Sequence, residues 1–363
     1  MLHEVFIPNK DLFGGLWPED RDQWPEDYTA EFDGVPRGFC ADLEEGPDAF
    51  SWNGVPGTRY RVDAFLPSWA WYENASSLLA KWRLAVFAPR EVDPRKPVVM
   101  MFGGIGMDYF DTSAWLPALV EKLGCICVAY DTHMTGVRNL EGPYSKFESN
   151  IGGFKPKYWN RSFGNDQFTT MTRELSFNAR QVMEFVARKY KLPHRRFVTL
   201  GFSLGGYYAS QIALSQPTCA GCSAGGAMAV ISDYWTFVPR VDLPDLPWPF
   251  TLVVPDVLKY GAAVAAVRYC AYDLEKAREG QSYYFSYGTE DGMATWCREK
   301  EDAYRARIVQ NGARFIPTCC PGAPHDPFSC NGRRIDLSKL GDADCEACIG
   351  RDMLEGVRQL IRH

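Results

Sequence analysis

A serine stands between glycines two residues before and two residues after it: Gly201, Phe202, Ser203, Leu204, Gly205, and then Gly206. Upstream lie Phe197, Val198, Thr199 and Leu200, a β-branched and apolar run that reads as a strand. Downstream, Ala209, Ile212, Ala213 and Leu214 recur at helical spacing. A turn this tight between strand and helix strains the serine backbone. It leaves no room for a Cβ at the two flanking positions, where glycine has none. Gly206 lets the helix pack closely on the sheet. Ser203 then projects at the carboxyl end of the strand, and the backbone N–H of Leu204 is available to a developing oxyanion. The chemistry such a residue does is nucleophilic attack.

A serine hydroxyl is a weak nucleophile at neutral pH and needs a base, which in turn needs an orienting carboxylate. The chain has five histidines, so the base can be sought by elimination. His3 and His363 are terminal. His194 precedes the Ser203 strand and so belongs to the opposite end of the sheet. His133 and His325 each follow a strand and fall on the correct face. A carboxylate candidate lies directly after another strand, in Tyr287, Gly288, Thr289, Glu290, Asp291.

From about residue 81 to the end, the chain resembles an α/β-hydrolase superfamily serine hydrolase of the esterase, lipase and peptidase kind. The resemblance rests on Gly-Phe-Ser-Leu-Gly-Gly, on Gly-Thr-Glu-Asp after a strand, and on the final Gly-Ala-Pro-His-Asp. It implies the chain order nucleophile, acid, histidine, which selects Ser203, Asp291 and His325 as the catalytic residues. Glu290 is the rival acid; the family's usual spacing after the glycine favours Asp291. The resemblance further implies a second oxyanion donor after the strand ending at Phe102, from the N–H of Gly104 or Ile105. Many esterases have His-Gly-Gly there. This chain has Phe102, Gly103, Gly104, which weakens any tie to the hormone-sensitive-lipase-like group.

The implied fold class is α/β, a mainly parallel sheet with helices on both faces. The pattern agrees. Strands are expected at 82–87, 97–102, 124–130, 197–200, 225–231, 281–287 and 314–319. Helices are expected at 112–123, 174–190, after Ser203, at 293–311 and at 352–361. Residues 1–80 are rich in Trp, Pro and acidic residues, with strand-like alternation at 60–65. They read as an N-terminal extension that packs on the core, with or without walling the site. Residues 81–363 form the catalytic domain. Insertions at about 131–172 and 233–273 leave from carboxyl ends of strands, where such sheets bind ligands. His133 and the aromatic Tyr234, Trp235, Phe237, Trp248 and Phe250 are candidates for the substrate pocket or a lid; the same aromatics also serve simply to pack the insertion.

The composition bounds the rest. Hydrophobic residues are 46% and charged residues 23% of the 363, an ordinary globular balance. A net charge of −6 gives no basic footprint for nucleic acid. No apolar run approaches the ~20 residues that span a bilayer. The N-terminus lacks the charged-then-apolar plan of a secretion signal, so a cytoplasmic location is expected. Twelve cysteines are many for such a protein. Cys125 and Cys127 read as core residues. Cys219 with Cys222, and Cys345 with Cys348, form C-x-x-C pairs, and Cys319, Cys320 and Cys330 lie near the second. They are read as free thiols, with one or two disulfides or a structural zinc in the C-terminal loop as alternatives. The expected activity is hydrolysis of a carboxylic ester through an acyl-enzyme, without cofactor, on a small-molecule substrate with an apolar or aromatic part. An amidase, peptidase or acyltransferase is the alternative on the same fold, and a non-catalytic binding protein is another.

Overall fold

A computed structural model of the chain describes residues 5–8, 38–47, 50–52, 54–65, 79–104, 115–132, 165–226, 276–291, 295–325, 329–330, 333–334 and 348–362. In chain order the elements are β1 (Val5–Pro8), β2 (Gly38–Glu45), β3 (Ser51–Trp52), β4 (Val55–Phe65), β5 (Leu79–Phe87) and β6 (Val98–Phe102). They continue with α1 (Leu116–Leu123), β7 (Cys127–Tyr130), α2 (Asn165–Tyr190), β8 (Phe197–Phe202), α3 (Leu204–Ser215), β9 (Cys219–Gly225) and β10 (Ser282–Gly288). Then come α4 (Thr295–Val309), β11 (Arg314–Cys320), the short β12 (Ser329–Cys330) and β13 (Arg333–Arg334), and α5 (Cys348–Arg362).

One sheet runs in the order β1-β2-β4-β5-β7-β6-β8-β9-β10-β11, with β3 beside β4. The half from β7 to β11 is parallel throughout. The half from β1 to β7 is antiparallel. From β6 the chain steps to β7 on one side and later to β8 on the other. The carboxyl ends of β6 and β8 therefore flank the reversal of strand order, where a crevice opens above such sheets.

The residues explain the layers. All five residues of β6 are buried, as a parallel strand covered on both faces requires. Val98, Met100 and Phe102 enter one core with α2 and α3; Val99 and Met101 enter the other with α1 and α5. Each such side chain removed from water contributes about 1.5–3 kcal/mol. Helix α1 ends at Gly124, whose φ of 60° and N–H to the Val120 carbonyl (2.8 Å) close the last turn.

The antiparallel half alternates instead. In β4, Tyr60 and Val62 are buried, while Arg59 and Arg61 pair across to β2 with Glu44, Glu45 and Asp42. Residues before position 80, read from the sequence as an extension, thus supply β1 to β4 of the same sheet, and position 80 itself falls inside β5.

Two element boundaries differ from the sequence reading. The strand expected at 225–231 is Cys219–Gly225, and 227–231 lie outside the described residues. Its run of Cys, Ala, Gly and Ser carries little apolar bulk to signal a strand. Small residues are needed there because α5 presses on it: a Cβ on Gly225 would sit 2.1 Å from the Met353 sulfur. Helix α2 begins at Asn165, within the expected insertion; Phe168 and Met171 already stand at helical spacing with Leu175, but so sparsely among polar residues that the expected start fell at 174. Among the described residues no helix is long and apolar enough to cross a membrane.

Candidate active site

The end of β8 and the start of α3 set Ser203. Its backbone has φ 57° and ψ −123°, a region L-residues avoid at a cost of about 1–3 kcal/mol. The surrounding backbone holds it there. The Ser203 N–H donates to the Gly225 carbonyl at 2.9 Å, and the Ser203 carbonyl accepts from the N–H groups of Gly206 (3.0 Å) and Tyr207 (3.2 Å). The flanking glycines are sterically required. A Cβ on Gly201 would lie 2.0 Å from the Gly205 carbonyl oxygen, and one on Gly205 would lie 2.1 Å from that of Phe102.

The carboxylate and the imidazole come from the ends of β10 and β11. After β10 the chain turns, with the Asp291 N–H on the Gly288 carbonyl at 3.3 Å. After β11 it turns through Gly322 at φ 69°, with the Ala323 N–H on the Cys320 carbonyl at 3.3 Å. These two turns are laced together. The N–H of Thr289 donates to the Cys320 carbonyl (3.0 Å) and that of Glu290 to the Ala323 carbonyl (3.1 Å). The Gly322 N–H donates to Thr289 Oγ1 at 2.7 Å.

The lacing brings three side chains into line. His325 Nδ1 lies 2.8 Å from Asp291 Oδ2, and His325 Nε2 lies 3.1 Å from Ser203 Oγ. An ionised carboxylate can only accept, so Nδ1 carries the proton and donates to Asp291. That leaves the Nε2 lone pair for the Ser203 hydroxyl. The Asp291 side chain is 0% exposed and that of His325 32%. Glu290, the rival acid, is exposed. The ring of Phe202 lies against that of His325, with centroids 5.0 Å apart and planes at 43°.

The loop after β6 passes beside the serine. A Cβ built on Gly104 would be 3.3 Å from the Ser203 Cβ, so the Gly104 backbone borders the nucleophile directly. Leu204 is the first residue of α3, where N–H groups have no intrahelical acceptor and the helix end favours negative charge. Ile105 lies outside the described residues. So do His133, Tyr234, Trp235, Phe237, Trp248 and Phe250, with His3 and His363. His194 sits before β8, at the end of the sheet away from Ser203, and its Nδ1 accepts the Arg196 N–H at 3.2 Å.

Among the described cysteines, Cys40, Cys125, Cys127, Cys219, Cys222 and Cys319 are free. Burial pushes the Cys125 thiol up to about 11 and that of Cys219 up to about 12, which leaves them inert as nucleophiles. Cys320, at the foot of the His325 turn, is disulfide-bonded, which corrects the free-thiol reading at that position in favour of the alternative. No three or more metal-ligating side chains cluster among the described residues. Sequence reasoning did not single out Thr289, the Gly225 carbonyl or Phe202. Only Phe202 carried a signal, its position between the first glycine and the serine.

No protein-family profile matches the sequence, and no curated protein does. Solved structures do. Acetyl xylan esterase 1 from Thermoanaerobacterium sp. is 14% identical over 97% of this chain and 99% of its own, with a TM-score of 0.53. An S-formylglutathione hydrolase from Agrobacterium tumefaciens is 15% identical over 88% of this chain and 98% of its own, at 0.49. A thermostable esterase from Pseudomonas putida is 15% identical over 86% of this chain and 85% of its own, at 0.48. The first likeness is one of fold: a mixed sheet flanked by helices on both faces, the α/β-hydrolase arrangement.

Proposed function

We propose that this chain, an α/β-hydrolase by fold, is a serine hydrolase that cleaves a carboxylic ester through an acyl-enzyme on Ser203. The observation that carries the reading is the unbroken line of contacts from Asp291 through His325 to Ser203. A buried carboxylate, an imidazole with its free lone pair on a hydroxyl, and a hydroxyl at a helix N-terminus together make a nucleophile and the means to activate it. The name of the acetyl xylan esterase that shares the fold over nearly its whole length is in keeping with an ester as the bond cleaved.

In this reading Ser203 Oγ attacks the carbonyl carbon while its proton passes to His325 Nε2. Negative charge gathers on the carbonyl oxygen and is met by the N–H of Leu204 and that of Gly104 or Ile105. Preorganised donors of this kind are worth about 3 kcal/mol each in the transition state. Asp291 keeps the imidazole in the right tautomer and stabilises the imidazolium. The C–O bond to the alcohol then breaks as His325 returns its proton to the leaving oxygen. Water enters, gives a proton to Nε2, and its oxygen attacks the acyl carbon; the acid departs and Ser203 regains its proton. No cofactor is needed at any step. The aromatic residues at 234–250 support a small ester with an apolar or aromatic part as substrate.

Turnover of p-nitrophenyl esters from acetate to palmitate tests this. The expected result is hydrolysis with an optimum in chain length, abolished in Ser203→Ala. Absence of turnover across the series, in folded protein, would reject the ester as substrate, and acylation without hydrolysis would assign the acyl group to another acceptor.

A further inference from the structure

We infer that Phe202 is a positioning residue for His325, its ring being the face against which the imidazole is held. This rests on the functional reading above and extends it to a residue outside the three aligned groups. The need for such a face follows from the geometry. Asp291 holds the imidazole at Nδ1 and Ser203 meets it at Nε2. Both contacts lie at the ring edge, near opposite ends. Hydrogen bonds made at the ring edge bend easily, so they resist displacement of the ring along its plane better than displacement across it. A displacement across the plane carries Nε2 off the line to the Ser203 hydroxyl while both hydrogen bonds merely lengthen and bend. His325 stands on a turn after β11 and is 32% exposed, so burial does not suppress that motion. A ring packed beside the imidazole opposes it, and the Phe202 ring, with centroids 5.0 Å apart and planes at 43°, is so placed.

The ring of Phe202 is itself seated by the backbone. Its residue pairs with Gly225 in the β8–β9 register, so the backbone beneath the ring is fixed in the sheet. Gly226, at φ 67°, gives up the space the ring occupies: a Cβ there would lie 2.3 Å from Phe202 Cε2. Gly104 borders it from the other side, where a Cβ would lie 3.6 Å from Phe202 Cδ1. The ring therefore fills a slot between two glycines of neighbouring loops, with one side turned to His325. The residue before the nucleophile thus connects the elbow to the histidine loop by a route other than the hydrogen bond of Ser203.

The test uses Phe202→Leu, which keeps bulk without a ring face, and Phe202→Tyr, which keeps the face. Phe202→Met, a flexible chain in the same slot, serves if the leucine variant does not fold. Misplacing a catalytic group by ~1 Å costs about 10²-fold. Phe202→Leu is therefore expected to lower kcat on a p-nitrophenyl ester by about 10- to 100-fold. KM should stay within about threefold of wild type, and Phe202→Tyr should restore kcat to within about threefold, since only reacting-group alignment is altered.

A second readout needs no turnover. In protein labelled at the histidine ring carbons, five histidines give a sparse spectrum. The His325 signal, assigned by its loss in His325→Ala, should move in Phe202→Leu and stay near its wild-type position in Phe202→Tyr. Loss of kcat with the signal displaced supports the inference. A raised KM with kcat unchanged would make Phe202 a substrate contact and overturn it. An unmoved signal would remove the ring contact itself and overturn it as well. If the wild type turns over no ester while the signal still moves, the functional reading has failed and the ring contact has not.

Discussion

Replacing Gly205 with alanine tests the steric logic of the site at one atom. The added Cβ would lie 2.1 Å from the Phe102 carbonyl oxygen and 2.5 Å from that of Gly103. Carbon and oxygen settle at about 3.3 Å or more, so the two backbones must part by about 1 Å. Phe102 ends β6 and is paired to Gly201 of β8, which keeps it from moving alone. The displacement therefore falls on the turn at Ser203 and on the Gly103 and Gly104 loop. Overpacking of this kind costs about 1–3 kcal/mol, and a shift of ~1 Å between nucleophile and oxyanion donor costs about 10²-fold in rate. Gly205→Ala should thus lose about 10²-fold in kcat/KM and in the rate of fluorophosphonate acylation, with its melting temperature down by only a few degrees. Gly46→Ala, where a Cβ would meet nothing within 4 Å, is the control and should match wild type in both. A Gly205→Ala protein with wild-type acylation and melting would refute the claim that the elbow is held by contact between these backbones.

Other perturbations separate the parts. Asp291→Asn should lower kcat by about 10⁴-fold with little change in melting temperature, because the amide no longer fixes the proton on Nδ1. At Ser203 the backbone strain outlasts the hydroxyl, so Ser203→Gly should be more stable than Ser203→Ala by about 1 kcal/mol in chemical denaturation. Glu184 tests the scaffold behind the site. Burial pushes its carboxyl up, but hydrogen bonds from Arg195 and Arg188 outweigh this and hold it below the usual carboxylate range. A depressed folded-state value means stability that is present above the ordinary carboxylate range and lost as pH falls through the depressed value. Glu184→Gln should therefore cost about 1–3 kcal/mol at neutral pH and progressively less as the pH is taken down through that value, read from melting curves at neutral and acid pH. An equal loss at both would show that the ion pairs contribute nothing.

The site was legible in the sequence wherever sterics or scarcity restrict the choice of residue. Gly201 and Gly205 could be picked out because no other residue fits their contacts. His325 could be sought among five histidines, and Asp291 stands immediately after a strand end. The structure puts His325 within hydrogen-bond reach of both Asp291 and Ser203. The parts that could not be read depend on register and on residues without apolar bulk. Strand β9 is hidden because close packing by α5 selects small residues, which carry no periodic signal. The continuation of the sheet through β1 to β4 was legible only in part: the strand-like alternation at 60–65 falls within β4, but nothing local shows that β4 pairs with β2 on one side and β5 on the other. The contact of Phe202 with His325 joins the end of β8 to the turn after β11, and no local pattern marks it.

The central claim is that Ser203 is a nucleophile activated by His325. Its most direct measurement is peptide mapping by mass spectrometry after exposure to a fluorophosphonate, on wild type, Ser203→Ala and His325→Ala. A single adduct is expected, on the peptide carrying Ser203. It should be absent from the alanine variant at Ser203 and at least a thousandfold slower to form in the His325 variant, on the order of the loss seen when one member of such a triad is removed. An adduct on another residue, no adduct in folded wild type, or wild-type labelling in His325→Ala would contradict it.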